Sequence, residues 1–131
     1  IRTVSPNDIY DVSSDIFSPC ALGGSLNTKT IERLQCKIVA GGANNQLLTP
    51  EDDHSLFHKG ILYAPDYVVN AGGIINASCE VGTKYSAERA KTKTLQIYDT
   101  LEQVFAISSE KQIPTGEAAD MLAETRLRSG K

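Results

Sequence analysis

Three apolar runs mark the first part of the chain: Asp15-Ile-Phe-Ser-Pro-Cys20, Cys36–Ala40 and Ile61–Val69. None shows the polar alternation of a strand with one wet face. Each therefore reads as a short buried strand, the first stopping at Pro19. Helical stretches lie between them. Asn27 or Thr28 caps a helix running to about Gln35, with Ile31 and Leu34 turned inward. Thr49-Pro50-Glu51-Asp52 combines a Thr cap, proline at the first position and acids in the first turn, and that helix ends near Gly60. In Ala64–Asn76 the third strand runs out at Val69 and Asn70 stands at its end. Gly72 and Gly73 then turn the backbone sharply, and an apolar helix begins at once. Ser5-Pro6-Asn7-Asp8 reads as a turn that opens one helical turn through Tyr10. Strand, helix, strand, helix, strand, helix predicts an α/β fold with a parallel sheet covered on both faces.

After Gly82 the composition shifts. Ser86–Lys111 reads as one long helix carrying Ala90, Leu95, Ile97, Tyr98, Leu101, Val104 and Phe105 mostly on one face. Pro114-Thr115-Gly116 breaks it. Glu117–Arg128 forms a last helix, with Ala118, Met121 and Leu122 available for packing. There is no internal repeat, low-complexity tract or second-domain linker.

At 131 residues the chain suits one modest domain. A net charge of −3 and a pI of about 5.3 point to no nucleic-acid or anionic-membrane partner, and no apolar run is long enough to span a bilayer. Cys20, Cys36 and Cys79, an odd number without paired spacing, favour free thiols in a reducing, cytoplasmic setting. His54 and His58 stand at metal-ligand spacing, but Glu51-Asp52-Asp53 and Lys59 make their surroundings read as a solvated helix face, and no metal is expected. Lys84, Arg89, Lys91 and Lys93 either bind an anion or, with Glu88 among them, form a solvated face. The opening Ile1-Arg2-Thr3-Val4 reads as the middle of a larger chain.

In open α/β sheets ligands bind at the carboxyl ends of the strands. All three predicted strands end in small residues: Ala21-Leu22-Gly23-Gly24, Gly41-Gly42-Ala43 and Ala71-Gly72-Gly73. Amides Asn44, Asn45 and Asn70 accompany the second and third. These loops are expected to line one edge and form one site, where an Asn side chain offers a donor and an acceptor to a carboxamide or carboxylate. Each candidate also has a plainer role. Asn44 and Asn70 would serve as caps or turn residues, Cys20 as a small buried hydrophobe, and Ile74 and Ala77 as core packing.

Asp15-Ile-Phe-Ser-Pro-Cys-Ala-Leu-Gly23, Ile38-Val-Ala-Gly-Gly-Ala-Asn-Asn-Gln-Leu47 and Tyr63-Ala-Pro-Asp-Tyr-Val-Val-Asn-Ala-Gly-Gly-Ile-Ile-Asn76 resemble the Glu/Leu/Phe/Val amino-acid dehydrogenases, and most closely their leucine-type members. Ala118-Ala-Asp-Met-Leu-Ala-Glu-Thr-Arg126 resembles the closing helix of that family. The resemblance implies a partial Rossmann-like parallel sheet with flanking helices, followed by C-terminal helices. Residues 1–82 would be the second half of an NAD-binding domain and 83–131 a C-terminal helical segment. It implies reversible oxidative deamination of an L-amino acid with NAD: hydride passes from Cα to the nicotinamide, water attacks the imine, and ammonia leaves. Cys20 and Ala21 would line the cofactor cleft, and Ala43 and Asn44 would lie by the nicotinamide ribose. Asn70 would bind where substrate and nicotinamide meet, and Ile74 and Ala77 would line the substrate side-chain pocket. Where glutamate-using relatives carry a Ser that binds the side-chain carboxylate, this chain has Ala77. Without that partner a buried carboxylate is disfavoured, so the implied substrate is leucine or another branched-chain or apolar amino acid.

The family's catalytic Lys and Asp, its Gly-rich pyrophosphate turn and the acid for the adenosine ribose have no match in these residues. The expected partners are therefore the amino-acid substrate, the missing N-terminal part of the same enzyme and further copies in a homo-oligomer. The chain alone is expected to be inactive, to present an unpaired sheet edge and to be poorly soluble or self-associating. Alternatives are a non-catalytic half-domain that associates with a separate polypeptide, or a regulatory nucleotide-binding module.

Overall fold

A computed structural model describes residues 2–82 and 84–130. Thr83, at the expected segment boundary, lies outside the described residues, as do Ile1 and Lys131. Three two-residue strands, β1 (Ile16–Phe17), β2 (Ile38–Val39) and β3 (Leu62–Tyr63), form a parallel sheet in the order β1-β2-β3. Ile16 pairs with Ile38 and Ile38 with Leu62; Phe17 pairs with Val39 and Val39 with Tyr63. The strands are shorter than the apolar runs suggest. Single backbone bonds extend the pairing, from Ala40 N–H to Phe17 O at 3.1 Å and from Ala43 N–H to Pro19 O at 2.9 Å.

The first helix, α1 (Thr28–Arg33), is capped by Asn27. Its side chain accepts from Thr30 N–H while Thr30 Oγ1 accepts from Asn27 N–H, closing a capping box. The second, α2 (Glu51–His58), starts at the expected place, but the Thr49 hydroxyl does not cap it. Instead the Asp52 carboxylate accepts from Thr49 N–H at 2.9 Å and from the Thr49 hydroxyl at 3.2 Å. Asp52 is therefore buried, contrary to the solvated face expected there, and so is Asp53.

The third apolar run is not one strand. β3 ends at Tyr63, and Asp66–Val69 is a short helix, α3, with Asn70 at its carboxyl end. Pro65 turns the chain, and the Asp66 carboxylate accepts from Tyr67 N–H at 2.6 Å, favouring a helix start over continued extension. The glycines do not form a sharp turn either: Gly72 and Gly73 open α4 (Gly72–Ser78). Next comes α5 (Ala87–Lys111), capped by Ser86, which accepts from Arg89 N–H. A left-handed Gln112 ends it, and α6 (Thr115–Ser129) follows.

Only one face of the sheet is fully covered among the described residues. Phe17, Val39 and Tyr63 turn toward Leu26, Ile31, Leu34, Leu56 and Ile61, the main core. On the other face Ile16 is 55% and Leu62 40% exposed, so the expectation of two covered faces does not hold here. A second cluster joins Val104, Ala118 and Ala119 with Val68, Phe105 and Leu122. On α5, Leu95 and Tyr98 face outward, as does Met121 on α6, so the long helix buries a narrower stripe than its composition suggests.

Polar bonds fasten the C-terminal helices to the sheet unit. Asp53 Oδ2 accepts from Gly116 N–H at 2.8 Å, at the start of α6. The Tyr67 hydroxyl donates to Asp120 at 3.0 Å, and His54 lies 2.8 Å from Glu117. A Cβ on Gly116 would stand 2.5 Å from Asp53 Oδ2. Gly116→Ala is therefore expected to lower stability by about 1–3 kcal/mol, measurable by urea denaturation. Burial pushes the Asp53 carboxyl up against the opposing pull of the Gly116 N–H, so the folded state holds its proton more tightly than the unfolded chain. Its contribution to stability is then fully present below the ordinary value of 3.8 and lost as pH rises through the higher folded value. Asp53→Asn should remove that loss: the stability difference between variant and wild type is expected to shift in the variant's favour as pH climbs above 3.8.

Candidate functional site

The loops after β1 and β2 meet at the carboxyl edge of the sheet, and the third member there, Asn70, arrives from the end of helix α3 and not from a strand end as expected. Gly41 makes this possible by packing on Pro19 so tightly that a Cβ there would lie 2.2 Å from the Pro19 carbonyl oxygen. Next to it, Gly42 N–H donates to Cys20 Sγ at 3.4 Å. Asn70 Nδ2 points into the β2–α2 loop. It donates to Asn44 Oδ1 at 2.6 Å and lies 3.3 Å from Ala43 O and 3.4 Å from Gly42 O.

These contacts settle the polarity of the amide pair. Turned over, Asn70 would set its oxygen against two carbonyl oxygens. With Nδ2 committed inward, Asn70 Oδ1 accepts nothing and Asn44 Nδ2 donates to nothing among the described residues. Asn44 is exposed and Asn70 half-buried, so the edge offers one unused acceptor and one unused donor. Such a couple matches a carboxamide, or hydroxyls that both donate and accept.

Cys20 is exposed rather than a buried hydrophobe, and Ser18 and then the Gly42 N–H hold its thiol below the ordinary range. Ala21 is exposed beside it, and both line a cavity of about 440 Å³ with Tyr10, Phe17, Pro19 and Leu22. Cys36 is half-buried, with burial pushing its thiol up, and Cys79 is buried. Ile74, 71% exposed, and Ala77, also exposed, lie on α4 and not in the core. The structure thus joins Cys20, Ala43, Asn44 and Asn70 in one bonded cluster, while Ile74 and Ala77 stand outside it on the helix that follows. The α4 glycines leave room: nothing lies within 4 Å of where a Gly73 Cβ would be.

Two residues of the site region carry no signal of their own in the sequence. Gln46 is fully buried, its Nε2 donating to Gly41 O at 2.8 Å and Ala43 O at 2.9 Å. Asp66 is 9% exposed and accepts from Gln46 N–H at 2.8 Å. Only the proline ahead of Asp66 marks it as a helix start and not a strand residue.

Among the described residues no three His, Cys, Asp or Glu side chains gather as a metal site would require, and no helix is long and apolar enough to cross a membrane. Comparison with known proteins agrees on one family. The sequence profile of the Glutamate/Leucine/Phenylalanine/Valine dehydrogenases matches residues 1–129. Leucine dehydrogenase of Geobacillus stearothermophilus is 52% identical over 128 residues, covering 98% of this chain and 35% of that enzyme. L-tryptophan dehydrogenase of Nostoc punctiforme is 52% identical over 130 residues, 98% of this chain and 36% of that enzyme. The crystal structure of L-tryptophan dehydrogenase from Nostoc punctiforme superposes with a TM-score of 0.92 at 49% identity, covering 96% of this chain and 38% of that one. A hetero-hexameric glutamate dehydrogenase from Thermus thermophilus, 21% identical, shares the fold at a TM-score of 0.76, over 98% of this chain and 32% of that one. The chain spans about a third of the length of the curated relatives it matches. It belongs to the Glu/Leu/Phe/Val dehydrogenase family.

Proposed function

We propose that the chain is the nicotinamide-side half of the Rossmann domain, with the C-terminal helices, of an NAD-dependent L-amino-acid dehydrogenase. The observation that carries this is the amide pair: Asn70 Nδ2 donates to Asn44 Oδ1 at 2.6 Å, which leaves Asn70 Oδ1 as an acceptor and Asn44 Nδ2 as a donor without partners among the described residues. That donor set fits the carboxamide or ribose hydroxyls of a nicotinamide nucleotide. Bound NAD would supply the hydride acceptor for the substrate Cα–H. The chain's own part is to hold and orient. Ala43 and Asn44 would meet the nicotinamide ribose, Cys20 and Ala21 would line the cleft, and Asn70 would orient cofactor and amino acid at their meeting point. Proton transfer would fall to Lys and Asp side chains of the preceding part of the enzyme.

Ile74 and Ala77 present apolar surface on α4, next in the chain to Asn70, and would form the wall for the substrate side chain. Ala77 has no hydrogen-bonding group, so the substrate class is leucine or another apolar amino acid and not glutamate. The leucine and tryptophan dehydrogenases among the relatives bracket that class. The location is cytoplasmic. The outward Leu95 and Tyr98 on α5 supply apolar surface for contacts between copies in a homo-oligomer. The outer edge of β1, unpaired among the described residues, and the exposed Ile16 favour a second reading, a half-domain completed by a separate polypeptide.

The test is NADH formation from leucine, valine, phenylalanine and glutamate by a polypeptide carrying these residues together with the upstream catalytic part. The apolar substrates should turn over at least about tenfold faster than glutamate, and the 131-residue chain by itself should produce no NADH. Glutamate preference, or turnover by this chain alone, would overturn the reading. Asn70→Ala should lower kcat/KM by about 10–100-fold, through loss of two hydrogen-bonding roles at one point. Ile74→Ala should shift preference from leucine toward larger aromatic substrates by roughly tenfold, read as a ratio of kcat/KM values.

A further inference from the structure

Resting on that reading, we infer that Gln46 is a positioning residue for the cofactor: its buried amide holds the Ala43 carbonyl, and through it the Asn44–Asn70 pair, in register with the nicotinamide end. Gln46 is 0% exposed. Its Nε2 bridges two carbonyls of its own loop, Gly41 O and Ala43 O, at 2.8 and 2.9 Å. Its backbone is pinned on both sides, N–H to Asp66 Oδ2 at 2.8 Å and C=O from Leu26 N–H at 2.9 Å. The Ala43 carbonyl accepts from Gln46 on the buried side and from Asn70 Nδ2, at 3.3 Å, on the site side. One oxygen atom therefore links a solvent-free amide to the site amide.

The unused end of the side chain argues the same way. Gln46 Oε1 is buried and has no partner among the described residues. A position serving packing alone would favour an apolar side chain over an amide with a stranded oxygen. What an apolar side chain cannot do is satisfy Gly41 O and Ala43 O together and so close the loop that carries Asn44. Asn70 is no substitute, because it is half-exposed and water competes for its bonds.

Gln46→Glu and Gln46→Met test this in the polypeptide that includes the upstream half of the nucleotide domain. The titratable groups around the loop are Asp66 on the Gln46 N–H, Tyr63 whose hydroxyl accepts from Asp66 N–H, and Cys20 on Gly42. They are common to wild type and variants, so the comparison removes them. In Gln46→Glu the acid form can donate to one carbonyl and the carboxylate to neither. NADH affinity should be about tenfold weaker than wild type at low pH and weaken further, with a single ionisation, as pH rises. Gln46→Met, close in volume, should show the weakened affinity at every pH, with KM for NAD raised and no added ionisation. Variants that are folded at the assay temperature, melt lower than wild type and yet bind NADH equally well would overturn the inference. A wild-type protein that fails to bind NADH would overturn the reading beneath it. The unaltered protein supplies a readout that needs no variant. By linkage, NADH must slow hydrogen exchange of the Gln46 side-chain amide protons, and an unchanged rate contradicts the inference.

Discussion

In the loop between β2 and α2, Gly41, Ala43 and Gln46 are buried beneath the site edge, where their backbone polar groups are shielded from water. Every such group must find a partner inside the protein. The Asp66 carboxylate takes the Gln46 N–H, the Gln46 side chain takes the Gly41 and Ala43 carbonyls, and Leu26 N–H takes the Gln46 carbonyl. The same carboxylate accepts from Tyr67 N–H and so starts α3 where it does. One buried charge thus decides two things together: the path of the loop that presents Asn44, and the point at which the chain leaves β3 and turns to deliver Asn70. Such a charge is tolerable because both its oxygens are bonded to N–H groups.

The same constraint explains what sequence reasoning reads well and what it misses. Helix starts are local signals, so the expected cap at Asn27 or Thr28 and the expected start at Ser86 fall within a residue of the observed ones. The meeting of the loops after β1 and β2 follows from parallel topology and needs only the order of elements. The third run fails because Tyr67, Val68 and Val69 have strand propensity, while Pro65 and the Asp66 carboxylate impose a helix start that no apolar count registers. Asp52 and Asp53 look like a wet face by composition. They are buried because one satisfies Thr49 next door and the other receives the N-terminus of α6 from 63 residues away, a partner invisible to any local window. The open side of the sheet is a further difference: Ile16 and Leu62 are of buried-strand type yet stay exposed among the described residues.

The C-terminal helices are part of the site's foundation. Asp53 to Gly116, Tyr67 to Asp120 and the Val104–Ala118 cluster tie α5 and α6 to α2 and α3, the elements on either side of the amide pair. α4, which carries Ile74 and Ala77, is braced against α5, where Gly72 sits near Thr94. The residues proposed to face the cofactor and those proposed to face the substrate therefore rest on a common support, as a reaction between the two molecules requires.

The most direct measurement is a crystal structure of a polypeptide that carries these residues together with the proposed upstream half, with NADH bound, at a resolution that locates the nicotinamide and its ribose. The account predicts Asn44 and Asn70 in hydrogen-bond contact with that end of the cofactor, with Asn70 Nδ2 still donating into the Ala43–Asn44 loop. A nicotinamide bound away from this edge, or an Asn70 amide released from Ala43 and Asn44, would contradict it.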